Sequence, residues 1–128
     1  MKPSERILNY KLKGYCCSQI IVAMILEDLG RDNEDLISAM GGFCNGLESG
    51  ENCGTLLASV AMLHMVDPKA ADMELRAEFM DWFYDAYGSY NCCDIVHDDP
   101  GQKMEICGAM IENCYNMLYE MLEDKLED

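Results

Sequence analysis

The chain has 128 residues, half of them hydrophobic, and a formal net charge of −15 at pH 7. This length and composition suit a single domain with one buried core over residues 1–128. The negative charge repels phosphate backbones and anionic lipid surfaces, which excludes nucleic-acid binding and membrane-surface docking. It can still attract a positively charged electron-transfer protein.

Two helices and a loop are predicted in the first half of the chain. Residues 18–29 carry a continuous apolar face that ends at Gly30, a residue suited to the left-handed C-terminal cap of a helix. Asp32 or Asn33 can cap a short second helix that reaches Met40. Residues 41–54 contain five glycines and two asparagines. This composition predicts a loop that can approach a ligand or another segment closely.

Helices also account for the second half of the chain. Residues 55–65 suit a buried helix that ends before Pro68, because the residue preceding a proline avoids helical angles. Pro68 opens a long amphipathic helix that ends near Gly88, and a short helix is predicted over residues 92–96. Residues 97–100 start a final helix. Because no strand pattern competes, we predict an all-α, single-domain antiparallel helical bundle with a glycine- and cysteine-rich loop.

The cellular compartment decides how the eight cysteines are interpreted. The apolar stretch near the N-terminus, residues 20–26, is short and lacks a small-residue cleavage site, so it does not resemble an export signal. No apolar segment approaches the length that a bilayer requires. We therefore expect a cytoplasmic protein. In a reducing compartment, this density of cysteines indicates metal binding or redox chemistry.

Three cysteines share one kind of local position. Cys17 lies at the start of the first predicted helix, and Cys53 and Cys92 each follow an asparagine that can cap a helix. The amino end of a helix presents free N–H donors and a partial positive charge, which favour thiolate over thiol. Cys107 lies about two turns into the last helix. These four cysteines are the candidate site residues.

The other four cysteines are weaker candidates. Cys16 and Cys93 each adjoin a candidate and project in a different direction, so we expect one cysteine of each adjacent pair to be spare. Cys114 continues the apolar seam of the last helix and is expected in the core. Cys44, in the glycine-rich loop, can form a redox pair with Cys53 or share a metal with it if the loop folds back. Because the sequence lacks a Cys-x-x-Cys-His run, covalent haem is excluded.

A family resemblance rests on four cysteines and one short motif. The motif is the run Cys53-Gly54-Thr55-Leu56-Leu57-Ala58, and the other three cysteines are Cys17, Cys92 and Cys107. Their order and spacing resemble the C_GCAxxG_C_C family, whose members are described as redox-active, and the likeness spans nearly the whole chain. Thr55 and Ala58 stand where the family motif has alanine and glycine, and both are small enough for close helix packing.

The first functional hypothesis is that thiolates hold a metal group. An iron–sulfur cluster would imply electron transfer, and a zinc ion would imply a structural role. Loop amides from Gly50 to Gly54 can donate hydrogen bonds to cluster sulfurs and tune the reduction potential. The predicted ligands are Cys17, Cys53, Cys92 and Cys107.

Two other hypotheses stay open. In a thiol–disulfide oxidoreductase, an activated Cys53 attacks the substrate, and Cys17, Cys44 or Cys92 resolves the mixed disulfide. In a non-enzymatic helical interaction protein, the cysteines pack as small hydrophobes, and the methionine-rich last helix can form a homodimer.

Overall fold

Helices make up nearly all of the structure. The computed structural model describes residues 2–44, 52–91, 95 and 100–126, and within the last helix it describes the side chains of residues 106–123. Over the described residues, the only pairing of β type is an isolated antiparallel bridge between Asn52 and Asn91. The predicted all-α fold class is therefore confirmed. The α-helices are α1 (Pro3–Leu12), α2 (Cys17–Leu29), α3 (Glu34–Met40), α4 (Gly54–Val66), α5 (Pro68–Ala70), α6 (Arg76–Tyr87) and α7 (Pro100–Leu126).

Local sequence signals explain most helix boundaries. Gly30 ends α2 and Gly88 ends α6, each in the left-handed conformation, with φ of 69° and 76°. Both glycines avoid the steric cost that a Cβ atom would bring there. The Asn33 side chain caps α3 by accepting the N–H of Leu36 at 3.0 Å. Pro68 opens α5, as predicted. The predicted short helix over residues 92–96 lies outside the described residues, apart from Ile95.

The described residues also include two short irregular helical segments. A 3-10 turn at Gly41–Phe43 follows α3, and a π-helical stretch at Ala71–Leu75 joins α5 to α6. The predicted single helix from Pro68 to the end of α6 is therefore continuous but has a wider turn near its start.

The centre of the hydrophobic core is α2. Residues 20–26 are all buried, so this helix presents no solvent-exposed face over nearly two turns. Helices α4 and α7 pack on α2 and on each other, and α6 packs on α4. The phenyl rings of Phe79 and Phe83 from α6 are fully buried. In the part of the chain described, no helix is both long and apolar enough to cross a membrane.

Helix α1 is an addition to the sequence-based prediction. It docks through Arg6, which donates from Nη1 to the Tyr115 hydroxyl at 2.9 Å and from Nη2 to Asp28 at 3.0 Å. The Tyr115 hydroxyl in turn donates to the Asp28 carboxylate. Burial, together with this hydrogen bond to Asp28, raises the pKa of Tyr115 to about 12. Hydrogen bonds among Arg6, Asp28 and Tyr115 thus tie α1 to α2 and α7.

The Tyr115 hydroxyl can be tested by the substitution Tyr115→Phe. We expect the free energy of unfolding to fall by about 1–2 kcal/mol, because Arg6 and Asp28 lose a shared hydrogen-bond partner. Urea unfolding followed by circular dichroism measures the change, and Tyr84→Phe, at an exposed tyrosine, is the control with little expected effect.

The same hydroxyl predicts a pH dependence. The folded pKa of Tyr115 is raised from 10.0 to about 12. Its contribution is therefore complete below pH 10 and is lost as the pH rises toward 12. The stability difference between wild type and Tyr115→Phe should shrink across this interval. A difference that stays constant up to pH 12 would contradict the assignment.

Candidate functional site

The amino end of α2 is fixed against the carboxyl end of α3. Cys17 is the first residue of α2, as predicted, and Cys16 is its N-cap. Ser18 Oγ donates to the Met40 carbonyl at 2.7 Å. The Gln19 side chain accepts the Cys16 N–H at 3.1 Å and donates to the Ile37 carbonyl at 3.2 Å. These contacts hold Cys16 and Cys17 in place independently of their own side chains.

Helix α4 begins at Gly54, one residue before the predicted start of this helix at residue 55. Cys53 itself is the N-cap of α4, so the prediction that Asn52 is the cap is wrong. The reason is tertiary, because Asn52 pairs with Asn91 in the isolated bridge, and the Cys53 N–H donates to the Tyr90 carbonyl at 2.7 Å. The Cys53 side chain makes no capping hydrogen bond.

Gly54 is the point where three chain segments come closest. A Cβ atom built on Gly54 would collide with the Phe43 carbonyl and would lie 3.5 Å from Cys17 Sγ. The absence of a side chain at Gly54 therefore lets the start of α4 pack against the 3-10 turn at Phe43, and Cys17 of α2 lies beside this contact. Cys53 and Cys17 are brought to the same region as a result.

The Cys53 side chain points toward α7. Cys53 Sγ lies 3.4 Å from Met110 Sδ, and the thiol donates to this thioether. Cys107 precedes Met110 by about one helical turn and Cys114 follows it by about one turn, so both share this face of α7. Cys107 is half-buried, and Cys53 is buried with 5% of its surface exposed.

Cys114 is a free, fully buried thiol beside the candidate cysteines. Burial raises its pKa well above the ordinary value, and nearby Cys53 and Cys17 raise it further. A hydrogen bond with Ser59 opposes this shift. The prediction that Cys114 packs in the core is correct. Its proximity to Cys17 and Cys53 was not predicted, although its spacing of seven residues from Cys107 puts both on one helix face.

A disulfide joins Cys16 to Cys44. Their Cα atoms are 6.0 Å apart, which is an ordinary separation for a disulfide. Two predictions are therefore wrong: Cys16 is not spare, and Cys44 pairs with Cys16 instead of Cys53. The reason is the packing of α2 on α3, which places the N-cap of α2 beside the residue that follows the 3-10 turn.

The remaining predicted site residues lie partly outside the described chain. Cys92, Cys93 and Gly50 are in residues that the structure does not describe. Cys17, Cys53, Gly54 and Cys107 are described. Among the described residues, no three Cys, His, Asp or Glu side chains are grouped so that they could hold a metal ion.

Comparison with known protein families supports the resemblance found in the sequence. The family model described as "Putative redox-active protein (C_GCAxxG_C_C)" matches residues 15–121. This match covers most of the chain. The chain belongs to the C_GCAxxG_C_C family. No curated protein and no solved structure gives a significant match.

The C_GCAxxG_C_C motif has a structural explanation in this member. Its first glycine is Gly54, which permits the close approach of α4 to the Phe43 carbonyl. Thr55 and Ala58 replace the alanine and the second glycine of the motif, and both are buried, with 1% and 0% exposure. Close packing of α4 on α2 is therefore compatible with both replacements.

We predict that Gly54→Ala destabilises the fold by about 1–3 kcal/mol, because the new methyl group overlaps the Phe43 backbone carbonyl. Gly42→Ala is the matched control, since a Cβ atom there meets nothing within 4 Å. Urea unfolding of the two variants measures the difference. Equal stabilities would show that the close approach at Gly54 is not required.

Proposed function

We propose that this redox-active protein transfers electrons through an iron–sulfur cluster held by its four family cysteines. The observation that carries the proposal is that Cys17 and Cys53 lie together at the starts of α2 and α4, and that Cys53 contacts α7, the helix that carries Cys107. The proposed ligands are Cys17, Cys53, Cys92 and Cys107.

Two contacts support the first three ligands. Cys17 Sγ borders Gly54, the residue that follows Cys53. The bridge between Asn52 and Asn91 pairs the residue before Cys53 with the residue before Cys92.

The fourth ligand is supported by the packing of α7. Cys53 Sγ contacts Met110, and Cys107 precedes Met110 on the same face by about one helical turn. Cys107 is thus the thiol of this face that is nearer the start of α7. Cys114 lies on the same face, about one turn beyond Met110 toward the end of the helix, and is assigned to packing.

The donor chemistry fits a cluster. Four thiolates are a standard ligand set for [4Fe–4S] and [2Fe–2S] clusters. Thiolates in an apolar interior require a cation to offset their charge, and a bound metal provides it. The first turn of α4 has N–H groups that the Cys53 side chain does not cap, and these groups can donate to cluster sulfurs. Gly54 is the first residue of this turn. The Gly50 N–H remains a predicted hydrogen-bond donor to the cluster.

Iron–sulfur chemistry is preferred to zinc because the family is redox-active and zinc has no redox chemistry. The described sulfurs of Cys17, Cys53 and Cys107 do not form a metal site by themselves. We therefore expect the cluster to draw these sulfurs together, with Cys92 completing the set. When bound, the cluster supplies one-electron transfer, and the residues around it exclude water and fix its ligands.

Thiol–disulfide exchange at Cys53 has less support. Only 5% of the Cys53 surface is exposed, so a protein disulfide cannot reach its sulfur without movement of the surrounding helices. The acidic surface, with a net charge of −15, suits a positively charged electron-transfer partner. We propose that this electron transfer takes place in the cytoplasm.

The proposal is tested by anaerobic purification of the full chain, followed by iron, sulfide and zinc analysis and an absorption spectrum. We expect iron with equimolar sulfide. In Cys53→Ser and Cys107→Ser, iron content should fall by more than about tenfold, because loss of a ligand costs more than the loss of an outer-shell contact.

The matched control is Cys114→Ala, which removes a neighbouring buried thiol that the proposal does not use as a ligand. This variant should retain its iron, and circular dichroism should show that all variants are folded. Zinc without iron would refute electron transfer, and a folded Cys53→Ser variant with unchanged iron would refute the ligand assignment. Metal-free protein with inert thiols would favour the packing interpretation.

A further inference from the structure

Neither cysteine of the Cys16–Cys44 disulfide is among the four proposed cluster ligands. We propose that it is a second redox centre, a thiol–disulfide exchange site that accepts two electrons from a dithiol protein. It joins the N-cap of α2 to the end of the 3-10 turn after α3. Disulfides in reducing compartments usually act in redox exchange and seldom serve as permanent staples.

Noncovalent contacts hold the two cysteines together without the S–S bond. Ser18 Oγ donates to the Met40 carbonyl at 2.7 Å, which fixes α2 against the end of α3. Gln19 bonds both the Cys16 N–H and the Ile37 carbonyl. The reduced form therefore keeps its sulfurs within reach of each other, and the disulfide can form again without a search by the chain.

The two sulfurs differ in access, which sets the direction of attack. Cys44 is buried, with 7% of its surface exposed, whereas Cys16 is only partly buried. An incoming thiolate can therefore reach Cys16 Sγ more readily than Cys44 Sγ. This asymmetry makes Cys16 the attacked sulfur and Cys44 the leaving group.

The exchange balances as two substitutions at sulfur. A thiolate of the dithiol bonds to Cys16 Sγ as the Cys16–Cys44 bond breaks, and Cys44 leaves with the bonding pair and takes up a proton. The second thiol of the reductant loses its proton and attacks its partner sulfur in the mixed disulfide, which releases Cys16 to be protonated. The protein gains two electrons and two protons, and the dithiol becomes a disulfide.

Ser18 is placed to assist the departure of Cys44. Its Oγ lies 3.6 Å from Cys44 Sγ and 3.4 Å from Cys16 Sγ. The hydroxyl can turn from Met40 to donate to the Cys44 thiolate, and it can accept the Cys44 S–H once that sulfur is protonated. The amino end of α2 adds a partial positive charge at the same place. Ser18 is thus a positioning residue for the exchange.

The test uses the full-length oxidised protein without denaturant. The protein is equilibrated with graded ratios of reduced to oxidised dithiothreitol, quenched with acid, alkylated and mapped by peptide mass spectrometry. Cys16 and Cys44 should gain label together in one two-electron transition while helicity stays unchanged, and they should pair again on reoxidation. Glutathione followed by rapid alkylation should leave the glutathione adduct on Cys16.

Ser18→Ala should slow reduction by about tenfold, because one hydrogen bond to a charged leaving group is lost. Ser59→Ala is the matched control, since this buried serine donates to the Thr55 carbonyl in α4 and lies away from the disulfide. The mapping on wild-type protein needs no variant, so a poorly folded Ser18→Ala would not block the test.

Three results would overturn the proposal: reduction only under denaturing conditions, loss of helicity on reduction, or a glutathione adduct on Cys44 instead of Cys16. The disulfide result is independent of the cluster. Cys44→Ser should keep its iron, and absence of iron from the wild-type protein would refute the proposed function without affecting the exchange site.

Discussion

The close approach of two backbones at Gly54 is the constraint on which the cysteine arrangement depends. The Phe43 carbonyl occupies the space that a Cβ atom at residue 54 would need, and Cys17 Sγ lies next to that space. The start of α4 therefore lies next to the start of α2. The apolar helix α2 is buried in the core, which fixes the position of both helix starts. The Cys53 sulfur contacts Met110 of α7 because α4 begins immediately after Cys53, close to α7. The position of each thiol therefore follows from packing between helices.

Two kinds of redox chemistry meet at the amino end of α2. Cys16 belongs to the disulfide, and Cys17, the next residue and also partly buried, lies beside Gly54. Successive residues at a helix start point in different directions, so one short segment can serve both sites. The contacts of Gln19 with the Cys16 N–H and the Ile37 carbonyl of α3 involve no sulfur atom, so they can stabilise this segment in either state of the disulfide. The proposed cluster and the proposed exchange site thus both depend on this segment, but they have no cysteine in common.

The sequence was informative where structure is determined locally. Gly30 and Gly88 end helices, and Asn33 starts one, because these effects involve neighbouring residues only. Helix α1 was not predicted because its anchor joins Arg6 to Tyr115, 109 positions away in the chain. The Cys16–Cys44 pair likewise depends on how α3 packs on α2. Motif and spacing identified the four candidate cysteines, whereas the proximity of Cys114 required the packing of α7.

The disulfide also encloses a particular part of the chain. Its two cysteines are 28 positions apart, and the loop between them contains all of α2 and α3. In the unfolded oxidised chain, these two helices would remain tethered, which limits the conformations of the segment that later forms the centre of the core. The loop-closure relation gives about 3.5 kcal/mol for a loop of this length. A cell that changes the state of this bond would therefore change how readily the core helix finds its partners during folding, as well as the chemistry at the surface.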